Sequence, residues 1–121
     1  MAKKVLIIED DANIADVLCM RFAAEGYAAS IARNGKEGWE KVKAEKPDVV
    51  ILDIELPLAS CYEVCSAIKE TKATQHIPVI MLTAKEKMND MEKGFTSGAN
   101  AYICKPYIWE RLLLKVRQYL K

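Results

Sequence analysis

Residues 47–57 read PDVVILDIELP. Between the two prolines lies an apolar run, Val49 to Leu52, flanked by Asp48 and Asp53. Side chains of a strand alternate between its faces, so an unbroken apolar run is buried on both sides. Such a strand belongs to a parallel sheet covered by helices on each face. The run predicts a strand over Asp48–Asp53, and Pro57 interrupts regular structure soon after it. Ile77–Leu82 repeats the pattern, and Lys4–Ile8 is a β-branched run ending in Glu9-Asp10-Asp11. Tyr27–Ala32 and Ala101–Cys104 read as two further strands.

Helical spacing fills the intervals. Ala12–Glu25 carries Ile14, Val17, Leu18 and Phe22 on one side, and Gly26 stops it. After an Asn34-Gly35 turn, Lys36–Glu45 has only Trp39 and Val42 as strong anchors, and Pro47 ends it. Ser60–Lys72 aligns Cys61, Val64, Cys65 and Ile68. Lys87–Ser97 places Met88, Met91 and Phe95 on one side and stops at Gly98. After Pro106, a fifth helix packs through Trp109, Leu112, Leu113, Val116 and Leu120. Five strands alternating with five helices predict an α/β, doubly wound, five-stranded parallel sheet. With right-handed crossovers the order is 2-1-3-4-5, the flavodoxin-like arrangement.

The chain has 121 residues, enough for one domain, expected to span 1–121 with no output domain visible. Half of it (51%) is apolar, so a real core can form. Net charge is +1, which argues against direct nucleic-acid binding by bulk charge. Apolar runs stop at four residues, far short of the roughly 20 a membrane span needs, and no secretion signal is read. The expectation is therefore a cytoplasmic protein. Its four cysteines (Cys19, Cys61, Cys65 and Cys104) are then free thiols that pack as small residues. With one histidine, His76, a zinc site lacks ligands.

In open α/β sheets the site lies beyond the carboxyl ends of the strands. There the sequence puts Glu9 and Asp10, Asp53, Thr83 and Lys105. Asp11 reads as a helix N-cap. Singly, Asp53 could cap a loop, Thr83 could serve a turn, and Lys105 could be a solvated strand end; together they form a constellation. Two carboxylates about 5 Å apart repel by roughly 3 kcal/mol at an effective dielectric near 20. Lys105 offsets part of this, and Mg²⁺, which takes a few carboxylate oxygens and keeps water, would offset the rest. A carboxylate nucleophile, a metal, an ammonium and a hydroxyl are the parts used in phosphoryl transfer.

The stretches VLIIEDD (5–11), PDVVILDIELP (47–57), IPVIMLTA (77–84) and SGANAYICKP (97–106) together resemble the receiver domain of bacterial two-component response regulators. The resemblance implies a phosphoacceptor in signal transduction, not an enzyme with a separate substrate. Asp53 would take the phosphoryl group from a histidine kinase or a histidine phosphotransfer protein. Asp10 and Asp53 would hold Mg²⁺, with Glu9 acting through water and the Glu55 backbone carbonyl as a further ligand. Thr83 would bond the phosphoryl oxygens, Lys105 would bridge to them, and Tyr102 would be the aromatic switch. An output domain or partner would read the face formed by the fourth helix, fifth strand and fifth helix, including Lys87, Met91, Tyr107 and Trp109.

Departures from the family pattern are informative. Cys61 stands where the family often has glycine, and Asn100-Ala101 replaces an acidic pair. The salt-bridging partners of the symmetric dimer used by winged-helix regulators are missing, so a monomer or weak dimer is expected. Glu55, two residues after Asp53, and Lys85, two after Thr83, are expected to pair across the path of a hydrolytic water and tune phosphoryl lifetime. The rival readings are an aspartyl-phosphate phosphohydrolase and a flavin-binding flavodoxin. The first would want an aspartate where Glu55 stands. In the second, Glu9-Asp10-Asp11 would repel the cofactor phosphate.

Overall fold

The structure is a computed structural model, and it describes residues 2–53, 58–84 and 98–120. In order, the elements are β1 (Lys4–Ile8), α1 (Ala12–Ala24), β2 (Ala28–Ala32), α2 (Gly35–Glu45), β3 (Val49–Asp53), α3 (Leu58–Glu70), β4 (Val79–Ala84), β5 (Ala101–Lys105) and α4 (Trp109–Tyr119). The five strands form one parallel sheet in the order β2-β1-β3-β4-β5, as expected from the alternation. The helix expected over Lys87–Ser97 lies outside the described residues, so α4 here is the fifth helix of the sequence reading.

Strand pleating divides the core in two. Leu6, Ile8, Val50, Leu52, Val79 and Met81 face α2 and α3, where Val42, Val64, Cys65 and Ile68 meet them. Val5, Ile7, Val49, Ile51, Ile80 and Leu82 face the other way, against Leu18 and Phe22 of α1 and Leu112, Leu113 and Val116 of α4. All five β3 residues are buried, which explains why its sequence has no polar alternation. Truncating a central residue such as Ile51 to alanine would cost about 2–5 kcal/mol.

Local signals set the boundaries. Asp11 caps α1, its Oδ1 accepting from the backbone N–H of Asn13 at 2.9 Å and Ile14 at 3.2 Å. Gly26 follows α1 in the left-handed region (φ 94°), a conformation that costs glycine little. Asn34 is the cap of α2 rather than part of a free turn: its Oδ1 accepts from Glu37 N at 2.8 Å, and Gly35 is already helical. At the other end Lys46 takes a left-handed conformation (φ 48°) ahead of Pro47. Gly98 also has positive φ (100°), and a Cβ there would sit 2.7 Å from Lys69 Cγ. Lys69 in turn donates to the carbonyl of Ile77 at 2.6 Å, tying α3 to the entry of β4.

Other expectations are corrected. The strand read as Ile77–Leu82, with Thr83 at its end, runs from Val79 to Ala84, so Thr83 is its penultimate residue. Pairing with β5 extends β4 at that end, Thr83 opposite Cys104 and Ala84 opposite Lys105. On α1, Ile14 and Val17 are not core residues. They are 39% and 51% exposed, because Ala15, Leu18 and Phe22 form the buried stripe. Trp109 packs in the core, as the reading of the fifth helix predicts, and Tyr107 joins it against α1. Trp109 packs edge-on against Phe22, ring centroids 4.8 Å apart, and Arg21 lies 5.3 Å from its ring centre. Among the described thiols Cys65 is buried, while Cys19 and Cys104 are half-buried.

Candidate functional site

The carboxyl ends of β1, β3 and β5 deliver the charged residues. Glu9 continues β1, its N–H donating to the Ala32 carbonyl at 2.9 Å, and only 2% of it is exposed. Asp53 closes β3 and is 1% exposed. Lys105 closes β5, two strands from β3, a span of roughly 10 Å at the usual strand spacing. The long lysine side chain crosses over β4, and its Nζ donates to Asp53 Oδ2 at 2.7 Å. Glu9, Asp53 and Lys105 share the parity of Ile7, Ile51 and Ile103, so all three project on the α1–α4 side of the pleat.

Here two buried carboxylates lie together, and the Lys105 ammonium bonds one of them, Asp53. The Lys105–Asp53 contact is a charge-assisted hydrogen bond, and it offsets the cost of burying Asp53. Glu9 has less support. Its Oε2 accepts from Asp11 N at 3.2 Å, while its buried Oε1 has no hydrogen-bond partner among the described residues. Burial, followed by the neighbouring Asp53 carboxylate, pushes Glu9 up to about 8 from an ordinary 4.5. Asp10 contributes in the same direction and stands exposed beside the cluster. Among the described residues the deficit is one of positive charge.

Mg²⁺ fits that deficit. It usually binds one or two carboxylates and retains water, rather than filling an all-protein cage. Among the described residues no group of three or more His, Cys, Asp or Glu side chains is placed to hold a metal ion. The orphaned Glu9 oxygen gives a retained water something to bond.

Thr83 and Tyr102 occupy the opposite pleat side, with Val79 and Met81. Thr83 is fully buried, and Tyr102 packs half-buried on the α2–α3 cluster. The structure therefore brings Glu9, Asp53 and Lys105 together, with Asp10 alongside, and sets Thr83 and Tyr102 on the adjoining strands. Glu55, Lys85, Lys87 and Met91 lie outside the described residues. Tyr107 is a neighbour of the site that its sequence assignment missed. Burial pushes its phenol upward, and it feels the charges of Lys105, Asp53 and Glu9. The available signal was its spacing, two residues after Lys105.

The carboxyl edge of this parallel sheet thus carries a buried aspartate, the lysine bonded to it and an acidic pair. The response regulator receiver domain matches residues 5–117, and the chain belongs to that family. Among solved structures it is similar to a Chloroflexus aurantiacus protein described as a response regulator. That pair has 30% identity and a TM-score of 0.91, over 99% of this chain and 98% of that one. It is also similar to the signal receiver domain of a signal transduction histidine kinase from Syntrophus aciditrophicus, at 30% identity and a TM-score of 0.90, over 98% and 90% of the two chains. The chemotaxis protein CheY4 of Vibrio cholerae is similar at 25% identity and a TM-score of 0.89, over 98% and 99%. The chain is thus a regulatory receiver domain of a two-component system. No helix among the described residues is long and apolar enough to cross a membrane.

Proposed function

We propose that Asp53 accepts a phosphoryl group from the phosphohistidine of a histidine kinase or a histidine phosphotransfer protein. The observation that carries this reading is the buried Asp53 carboxylate held at 2.7 Å by Lys105 beside an under-neutralised Glu9. A carboxylate oxygen of Asp53 attacks phosphorus, and the phosphorus–nitrogen bond of the donor breaks. The imidazole nitrogen leaves with the electron pair and takes up a proton. Lys105 moves its hydrogen bond from the carboxylate to a phosphoryl oxygen, following the developing charge. Asp10, Asp53 and the Glu55 backbone carbonyl would hold Mg²⁺, with Glu9 reaching it through water. When bound, the ion supplies charge neutralisation at the phosphoryl oxygens.

Thr83 then bonds a phosphoryl oxygen, and its movement opens space for Tyr102, which shares its side of the pleat. In this reading the signal leaves through the Lys87–Ser97 segment, β5 and α4, toward an output domain or partner protein. A protein donor reaches the carboxyl edge past α1, whose exposed Ile14, Val17 and Met20 offer it apolar surface. Intact-mass spectrometry after treatment with acetyl phosphate and Mg²⁺ tests the acceptor. One phosphoryl group on the wild type and none on Asp53→Asn is expected. Equal labelling of the Asn variant would overturn the assignment.

A further inference from the structure

The position of Lys105 depends on the segment between β5 and α4. Pro106 to Ile108 makes that connection, and Ile108 begins the helix with no side-chain cap bond. Packing holds the segment instead: Tyr107 and Trp109 both lie against the cluster containing Leu18 and Phe22 of α1. Together with Ile14, Val17, Leu18 and Arg21 of α1, they line a groove of about 430 Å³. Tyr107 is two residues beyond the lysine that spans β4 to reach Asp53.

We propose that Tyr107 is a positioning residue for phosphorylation: its ring, wedged against α1, props the 105–109 segment so that the Lys105 ammonium stays on Asp53. This rests on the reading of Asp53 as phosphoacceptor. The ring performs the task, since it fills the space between the segment and α1, and the phenol oxygen is dispensable. Without the ring the segment relaxes into the groove and the lysine tip withdraws. Tyr107 therefore acts through Lys105 and has no separate part in the transfer.

A double-mutant cycle with a second, phosphate-free readout tests this. Tyr107→Ala should slow labelling by acetyl phosphate by about fivefold or more, within the range seen for coupled neighbours. Tyr107→Phe should stay within about twofold of wild type. In a Lys105→Met background, Tyr107→Ala should have no further effect, and the same slowing there would overturn the proposal. The Lys105 Hε–Cε signal, assigned by Lys105→Arg, should move in Tyr107→Ala and not in Tyr107→Phe. The Lys69 signal, from a lysine anchored on the Ile77 carbonyl, should stay fixed in both. Movement of both lysines in Tyr107→Ala would mean general loosening and would sink the idea. An unmoved Lys105 would sink it equally. A wild type that takes no phosphate would overturn the acceptor reading instead, while the lysine signals still decide the role of Tyr107.

Discussion

The two ends of the sheet carry polar residues of similar kinds and use them in opposite ways. At the amino end, polar groups find partners. Lys4 N donates to Asp48 Oδ2 at 2.7 Å, and Lys4 Nζ donates to the Glu45 carbonyl at 3.0 Å. The N–H of Val79 donates to Asn100 Oδ1 at 2.9 Å, and Tyr119 Oη donates to the Asn100 carbonyl at 2.9 Å. At the carboxyl end, two acids are buried almost completely: Asp53 bonds the Lys105 ammonium, and Glu9 keeps a carboxylate oxygen unbonded among the described residues. One end completes the fold, whereas the other is held under charge imbalance by the rest of the fold. Strain of this kind gathers where a ligand or a transferred group will relieve it.

The largest expected effect is on phosphorylation. Asp53→Asn should abolish labelling outright. Asp10→Ala should nearly abolish it while leaving the melting temperature unchanged or higher, because a like charge is removed from the cluster. If Asp10→Ala instead unfolded the domain in thermal melts, the carboxyl end would be structural after all and the contrast between the two ends would collapse.

Next comes a pH effect set by Glu9. Its folded value, about 8, lies above the ordinary 4.5, so the folded state holds this proton more tightly than the unfolded chain does. The resulting stability is fully present below about pH 4.5 and is lost as pH rises through 8. At roughly 1.4 kcal/mol per pKa unit, the loss is on the order of 2–4 kcal/mol in the absence of divalent cation. Urea unfolding between pH 5 and 9 should show this decline in wild type, and Glu9→Gln should flatten it. A Gln variant that kept the full slope would clear Glu9 of responsibility.

Lys105→Met sharpens the comparison from the cationic side. It strands the buried Asp53, which should cost about 1–3 kcal/mol near neutral pH; the lysine is one-fifth exposed, so the full penalty of a dry site does not apply. Asp53→Asn/Lys105→Met should recover much of that loss, since the stranded charge is gone. Chemical denaturation of the two variants and wild type measures both quantities.

Legibility in the sequence divides along the same line. The sheet order could be read because β3 and β4 are apolar on both faces, a pattern that few arrangements other than a helix-covered parallel sheet can satisfy. The residues ending the strands could be read as well, since the carboxyl edge of such a sheet collects its site. What the sequence hid is tertiary. On α1, the helical spacing places Leu18 and Phe22 correctly, but the stripe they share is completed by small, fully buried Ala15, where hydrophobicity alone favours Ile14 and Val17. The neighbours that Tyr107 and Trp109 meet could not be read, because they lie on α1, Phe22 and Arg21 among them, more than 80 positions earlier in the chain. Nor could Glu9 be told from Asp10 by type: burial separates them, and burial belongs to the assembled sheet.

The smallest expected effect lies at the amino end and concerns Asn100, which stands where the family pattern has an acid. Its side chain serves as an acceptor, Oδ1 taking the N–H of Val79, while its own N–H donates to the Val79 carbonyl at 2.9 Å. The pair of bonds extends the β4–β5 pairing to Val79, the first residue of β4, one step before β5 begins. An aspartate offers the same acceptor with a charge, and at this exposed position the charge costs little. Asn100→Asp should therefore change unfolding free energy by no more than about 0.5 kcal/mol. Asn100→Ala, which leaves the Val79 N–H without its acceptor, should lose about 1 kcal/mol. Neither should alter labelling of Asp53, because the site is at the other end of β4 and β5. Should Asn100→Ala slow phosphorylation by acetyl phosphate as well as lowering stability, the two ends of the sheet would be coupled, and their division into structure and function would fail where it is most easily measured.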